Sequence, residues 1–182
     1  MKTLKTIQTL SKIGKIFSKI VTVCCVIGVI GCAVGSLAML FALRVVKIGG
    51  RTLESILSTE AGVYTGTIWA AIAVGAILCI GEFFVAQMAC RYFDHELQAG
   101  TPFTADGAKE LLHLGISCIW IPIVALVLAQ VAQEVIAHFM ANVELIAIDG
   151  YQHVWLGVVF IVTSLLCRYG AELQASDHPT LS

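Results

Sequence analysis

The chain is short of charge. Only 13% of its 182 residues are Asp, Glu, Lys or Arg, against ~25% in soluble domains. That leaves no segment polar enough for a second, soluble domain. Acids are missing altogether from the first 19 residues, where Lys2, Lys5, Lys12, Lys15 and Lys19 stand alone. Seven cysteines include no Cys-x-x-Cys spacing, and six of them lie inside apolar runs. Small packing residues, not a disulfide framework, are the reading. No His-Glu-x-x-His spacing occurs, and no nucleophile–base pair or complete metal set is visible. The chain is therefore read as non-enzymatic, without a cofactor and without direct nucleic-acid binding.

Apolar length fills the space that charge leaves. Residues Ile20–Leu43, Ala61–Gly81 and Leu114–Gln133 each run 20 or more residues without a charge or a histidine. A fourth run, Gly150–Cys167, is interrupted only by His153. About 20 apolar residues of helix cross the ~30 Å hydrocarbon layer of a bilayer. The expected fold is all-α: an integral membrane four-helix bundle with spans at about 20–43, 63–90, 111–133 and 150–168. Residues 1–19 form a basic amphipathic helix that anchors and orients the chain, either separate from the first span or continuous with it. Residues 20–174 form the spanning domain, and residues 175–182 are a tail.

Positive charge stays on the cytoplasmic side of a membrane. With both termini placed inside, eight Lys and Arg residues fall in cytoplasmic segments and three (Arg44, Lys47, Arg51) outside. The orientation expected is thus N- and C-termini cytoplasmic. A secretory leader carries a shorter apolar core of ~7–15 residues. The first run is a span on this count.

Small residues mark where helices meet. Gly28, Gly31 and Gly35 line the first span, with Cys24 and Cys32 on the same face, and Gly75 lies in the second. Such residues let backbones approach where lipid provides no hydrophobic drive. The face packs on another span of the chain or on a second copy, as a homo-oligomer. Gly49-Gly50 breaks the first helix, and Thr52–Ser58 is expected to be a short interfacial helix. The third helix carries Pro122 and extends past its apolar run through Glu134 and His138.

Polar groups in or beside the spans are few. Glu82 sits near mid-span, where a carboxylate costs on the order of 3 kcal/mol. On a helical projection it shares a face with Ala71, Gly75, Ala86 and Ala89, so it is expected to point into the bundle and tie two spans together. A small channel or transporter subunit using Glu82 is a second reading. Glu134 and His138, spaced i, i+4, are weak metal candidates at the outer boundary.

The segment between the second and third spans is the most patterned polar stretch. Gly100 closes one helix, Pro102 blocks helix at Thr101, Phe103 packs back, and Thr104 caps the next helix with Asp106 in its first turn. Arg91, Glu96, Arg168 and Glu172 lie on the same inner face. They either bridge one another or form a cytoplasmic docking surface with the Gly100–Thr104 corner.

Here a family resemblance appears. Leu97-Gln-Ala-Gly-Thr-Pro-Phe-Thr104, followed by Leu111-Leu-His-Leu-Gly115, and Arg168-Tyr-Gly-Ala-Glu-Leu-Gln174 after the last span, resemble motifs of a bacterial four-span membrane family. That family is catalogued as domain of unknown function 2975. The resemblance implies a bacterial inner-membrane protein of a family with no known enzymatic activity. It also implies a cytoplasmic partner such as a small helix-turn-helix regulator. The tail departs from the family, with only Asp177 and Thr180 echoing its usual acidic ending. An envelope-protection or immunity protein is a third expectation for this class.

Overall fold

A computed structural model describes residues 2–45, 47–52, 64–99, 104–140, 143–147 and 152–176. These form four long helices: α1 (Lys2–Val45), α2 (Thr65–Ala99), α3 (Ala105–Phe139) and α4 (Gln152–Ser176). Two short antiparallel strands, β1 (Lys47–Ile48) and β2 (Arg51–Thr52), follow α1. Gly49 and Gly50 join them at φ of 60° and 82°, the left-handed conformation that a tight two-residue hairpin turn requires. The glycine pair thus ends α1 by turning the chain. Thr52 is in a strand, not in a short helix, and residues 53–58 lie outside the described ones.

Four helices are long and apolar enough to cross a membrane, over Gln8–Phe41, Thr65–Ala99, Asp106–Phe139 and Val154–Leu173. Their outward side chains are large and apolar, among them Leu37, Phe41, Phe84, Val127, Leu128 and Leu166. Such a surface suits a multipass membrane protein, because in water it would remain an uncovered apolar patch.

Residues 2–19 are not a separate element. α1 is one helix of 44 residues, or ~66 Å at 1.5 Å per residue. Three of its hydroxyls bond back to carbonyls of their own helix and so do not break it. Ser18 Oγ donates to Gly14 O at 2.9 Å, Thr22 Oγ1 to Ser18 O at 2.9 Å, and Ser36 Oγ to Cys32 O at 2.8 Å. α3 likewise runs unbroken through Pro122 and on past Glu134 and His138.

The chain divides into two compact units. Unit 1 comprises Met1–Val23, Glu82–Ile123 and Gly150–Ser182; unit 2 comprises Cys24–Gly81 and Val124–Asp149. Unit 1 has a core of Tyr92, Ala108, Leu111, Leu114, Cys118 and Cys167, with Val85, Met88, Phe93 and Phe160 packed around it. The Tyr92 and Phe93 rings meet edge-on at 5.4 Å. α3 and α4 cross at glycines. A Cβ on Gly157 would lie 2.8 Å from Gly115 O, and one on Gly115 would lie 3.0 Å from Gly157 O. Backbone therefore touches backbone, and only glycine fits at either position. Beside this crossing, Ser164 Oγ donates to Ala108 O at 3.0 Å in a buried bond.

Unit 2 is joined by small residues on α1 and α2. Gly28 faces Cys79, Gly75 faces Cys32, and Gly35 faces Ile72. Gly31, expected on the same seam, does not take part: nothing lies within 4 Å of a Cβ built there. The seam runs through Cys25, Gly28, Cys32 and Gly35, and Cys24 is exposed while Cys25 is buried. At about 100° per residue, Gly31 is rotated about 60° from Gly28, off the line that Cys32 and Gly35 hold. A second attachment closes the far end of α3. The fully buried Gln133 donates from Nε2 to Ile146 O (3.3 Å), and its Oε1 accepts from Ile146 N (2.7 Å). Glu144 N donates to Thr67 Oγ1 at 3.0 Å. Residues 143–147, neither helix nor strand, are held by these side chains.

Candidate functional site

A cluster of polar groups lies in unit 1, past Arg91 on α2 and before Gly115 on α3. Thr104 starts α3 as the expected cap: its Oγ1 accepts from Gly107 N at 3.0 Å, and Asp106 occupies the first turn. An acid there complements the helix dipole. The cap sets the direction of α3, so that Glu110 meets α2. Glu110 Oε1 lies 2.7 Å from His95 Nδ1. One helical turn on, His113 Nδ1 donates to Lys109 O at 2.9 Å, on its own helix.

α1 closes the opposite flank of α2. Lys15 is ion-paired with Asp94. Glu96 accepts hydrogen bonds from the Ser11 and Tyr92 hydroxyls. A Cβ on Gly14 would lie 2.6 Å from the Phe93 ring, so α1 sits close against α2 here. Ser11 and Tyr92 are both buried. Glu96, expected as a docking residue, is thus committed largely to its own unit.

Two adjoining clefts open between the α2 end and the α3 start. One, of about 230 Å³, is lined by Tyr92, His95, Glu96, Thr104, Asp106 and Glu110 among others. The other, of about 350 Å³, shares Tyr92, His95 and Glu110 and adds Arg91 and His113. The shared wall makes His95–Glu110 the centre of the polar surface. Neither histidine was singled out from the sequence, because His95 and Glu110 lie fifteen residues apart on separate helices.

The other expected site residues are dispersed. Arg168 and Glu172 pair with each other along α4 (Nε to Oε1, 3.1 Å), both exposed, rather than bridging to another helix. Gly100, Pro102 and Phe103 lie outside the described residues. Glu134 and His138 are both exposed at the end of α3, where the His138 ring packs edge-on against Phe139. Among the described residues, no group of three or more His, Cys, Asp or Glu could hold a metal ion.

Glu82 corrects the helical projection. It is exposed, as is Ala71, while Ala86 is buried and Gly75 faces Cys32. Cys79 stands at the centre of the packing face, opposite Gly28. Ala71 and Glu82 lie about 60–80° from it at about 100° per residue, on the margin that turns outward.

Fold and site together define an all-helical protein with four helices fit to cross a membrane and one polar helical end. No protein-family model, curated protein or solved structure matches the chain. Two of the segments quoted above lie within the described helices. Leu111 and Leu114 are buried in the unit 1 core and Gly115 forms the α3–α4 crossing. Arg168 to Gln174 form the last turns of α4.

Proposed function

We propose that the chain is a non-enzymatic multipass protein of the bacterial inner membrane, with both termini cytoplasmic, that docks a cytoplasmic protein on the polar end of unit 1. A small helix-turn-helix regulator is the partner that the family resemblance favours. One observation carries the reading. At this end, α2 and α3 turn Arg91, His95, Asp106, Lys109 and His113 outward around open clefts. Five ionisable groups of unit 1 are thus gathered on one exposed surface.

The test is affinity capture from native membranes with the wild-type chain and with the Arg91→Glu/Lys109→Glu variant. Both positions are exposed and can be changed without opening the core. A soluble regulator captured by wild type and lost from a normally inserted variant supports the proposal. Absence of such a protein from wild-type captures, or equal capture by the variant, overturns it.

A second reading draws on Glu82. A carboxylate exposed halfway along an apolar helix belongs to the outer surface of one copy. Any ion-conducting role would therefore be exercised where copies meet. Proton or cation flux in reconstituted vesicles that is unchanged by Glu82→Gln would exclude it.

A further inference from the structure

The first turns of α1 divide into three stripes. Ser11, Gly14 and Ser18 face inward, and Lys15 is held by Asp94. Lys12 and Lys19, two turns apart, are exposed on one line. Leu10, Ile13, Ile16, Phe17 and Ile20 fill the remaining arc, all at least half exposed and Phe17 at 67%. α1 itself carries no acid, the first in the chain being Glu54, and among the described residues Lys15 is the lysine of α1 that is paired, with Asp94 of α2.

The neighbouring helix is different at the same level. Ser11 bonds to Glu96, Gly14 abuts Phe93, and Lys15 pairs with Asp94, so residues 11–15 of α1 lie beside residues 93–96 of α2. α2 exposes no large apolar side chain after Phe84, ten residues before Asp94, or ~15 Å of helix. Where α2 has already become polar, α1 still presents an unbroken apolar stripe beside two exposed lysines. Hydrocarbon would suit the stripe but not the lysines, and water would suit the lysines but not the stripe. A phospholipid headgroup layer suits both. Apolar side chains enter the acyl boundary there, and lysine stems carry their ammonium groups to phosphate.

We infer that Lys12 and Lys19, with the Leu10–Ile20 stripe, form a binding site for anionic phospholipid headgroups on the leaflet nearest the N-terminus. The two ammonium groups are spaced ~10 Å along the axis, far enough to engage two headgroups. Lys15, bound to Asp94, is not part of the site. The inference stands independently of the proposed partner protein.

The experiment uses the full chain in nanodiscs of equal phosphatidylcholine and phosphatidylglycerol, released for native mass spectrometry. Wild type should retain phosphatidylglycerol preferentially, and less so as salt is raised. Each single change, Lys12→Gln or Lys19→Gln, should cut the preference about 5-fold, and the double change about 30-fold. Equal retention of the two lipids by wild type, or an undiminished preference in the double variant, overturns the inference. The wild-type salt series decides the matter if the double variant fails to insert. A photoreactive residue at Ile16 provides a second reading: a lipid adduct supports the site, and an adduct to a second copy or a soluble protein overturns it.

Discussion

The two units are built largely from the same helices but are held by different chemistry. Unit 1 packs rings and leucines around Tyr92 and Leu114 and surrounds them with charged pairs. Unit 2 brings α1 and α2 together through glycine and cysteine, and closes with one buried amide. Large side chains gain free energy by leaving water. Where the surroundings are themselves apolar, as inside a bilayer, that gain vanishes, and close backbone approach and hydrogen bonds remain. The comparison teaches that a long helix changes its means of attachment along its length.

The largest expected effect tests whether unit 1 depends on its side-chain core or on its backbone crossing. Gly157→Leu places a branched side chain where a Cβ already meets Gly115 O at 2.8 Å and Ile119 at 2.5 Å. Backbone cannot rotate away as a side chain can. A loss of about 3 kcal/mol is expected in reversible unfolding in mixed detergent micelles. A loss below 1 kcal/mol would show that the crossing is looser than its geometry and that the ring cluster alone holds unit 1.

Next comes the unit 2 amide. Gln133→Leu preserves bulk but removes both partners of the Ile146 backbone. Two polar groups left partly buried cost about 2–3 kcal/mol together. Hydrogen exchange should show faster exchange at residues 143–147 before any change near Tyr92. Simultaneous loss of protection in both regions would mean that the two units unfold as one and that their separation has no energetic content.

Most of the architecture was legible in the sequence, because the runs from Ile20, Ala61, Leu114 and Gly150 are too long and apolar for anything but buried or spanning helix. The Thr104 cap was legible too, since capping is local chemistry. Register on a helix face was less so. Glu82 and Gly31 were both placed by projection and both sit about 60° from the true packing line, a displacement that carries a side chain from inside to outside. The line is a repeat of three and four, through Ser11, Gly14, Ser18, Cys25, Gly28, Cys32 and Gly35, and Gly31 stands off it. The His95–Glu110 pair and the Gln133 clamp were not readable. Each joins residues thirteen or more apart whose meeting depends on how separate segments pack, and neither carries a spacing signature.

The smallest effect tests the seam position directly, by making the same change at two glycines three residues apart on α1. Gly28→Ala adds a methyl 2.8 Å from Cys79 Sγ. The sulfur is the end of a short side chain and can move by rotation, so the cost is about 1 kcal/mol, not the larger penalty of the backbone crossing. Gly31→Ala meets nothing within 4 Å and gains alanine's helix preference, up to about 1 kcal/mol. The two variants should therefore shift unfolding in opposite directions, by about 2–4 °C each. If Gly31→Ala instead lowers stability, and does so more at higher protein concentration, then α1 packs outward on a second copy. The seam of unit 2 would then be only one of two faces that this helix uses.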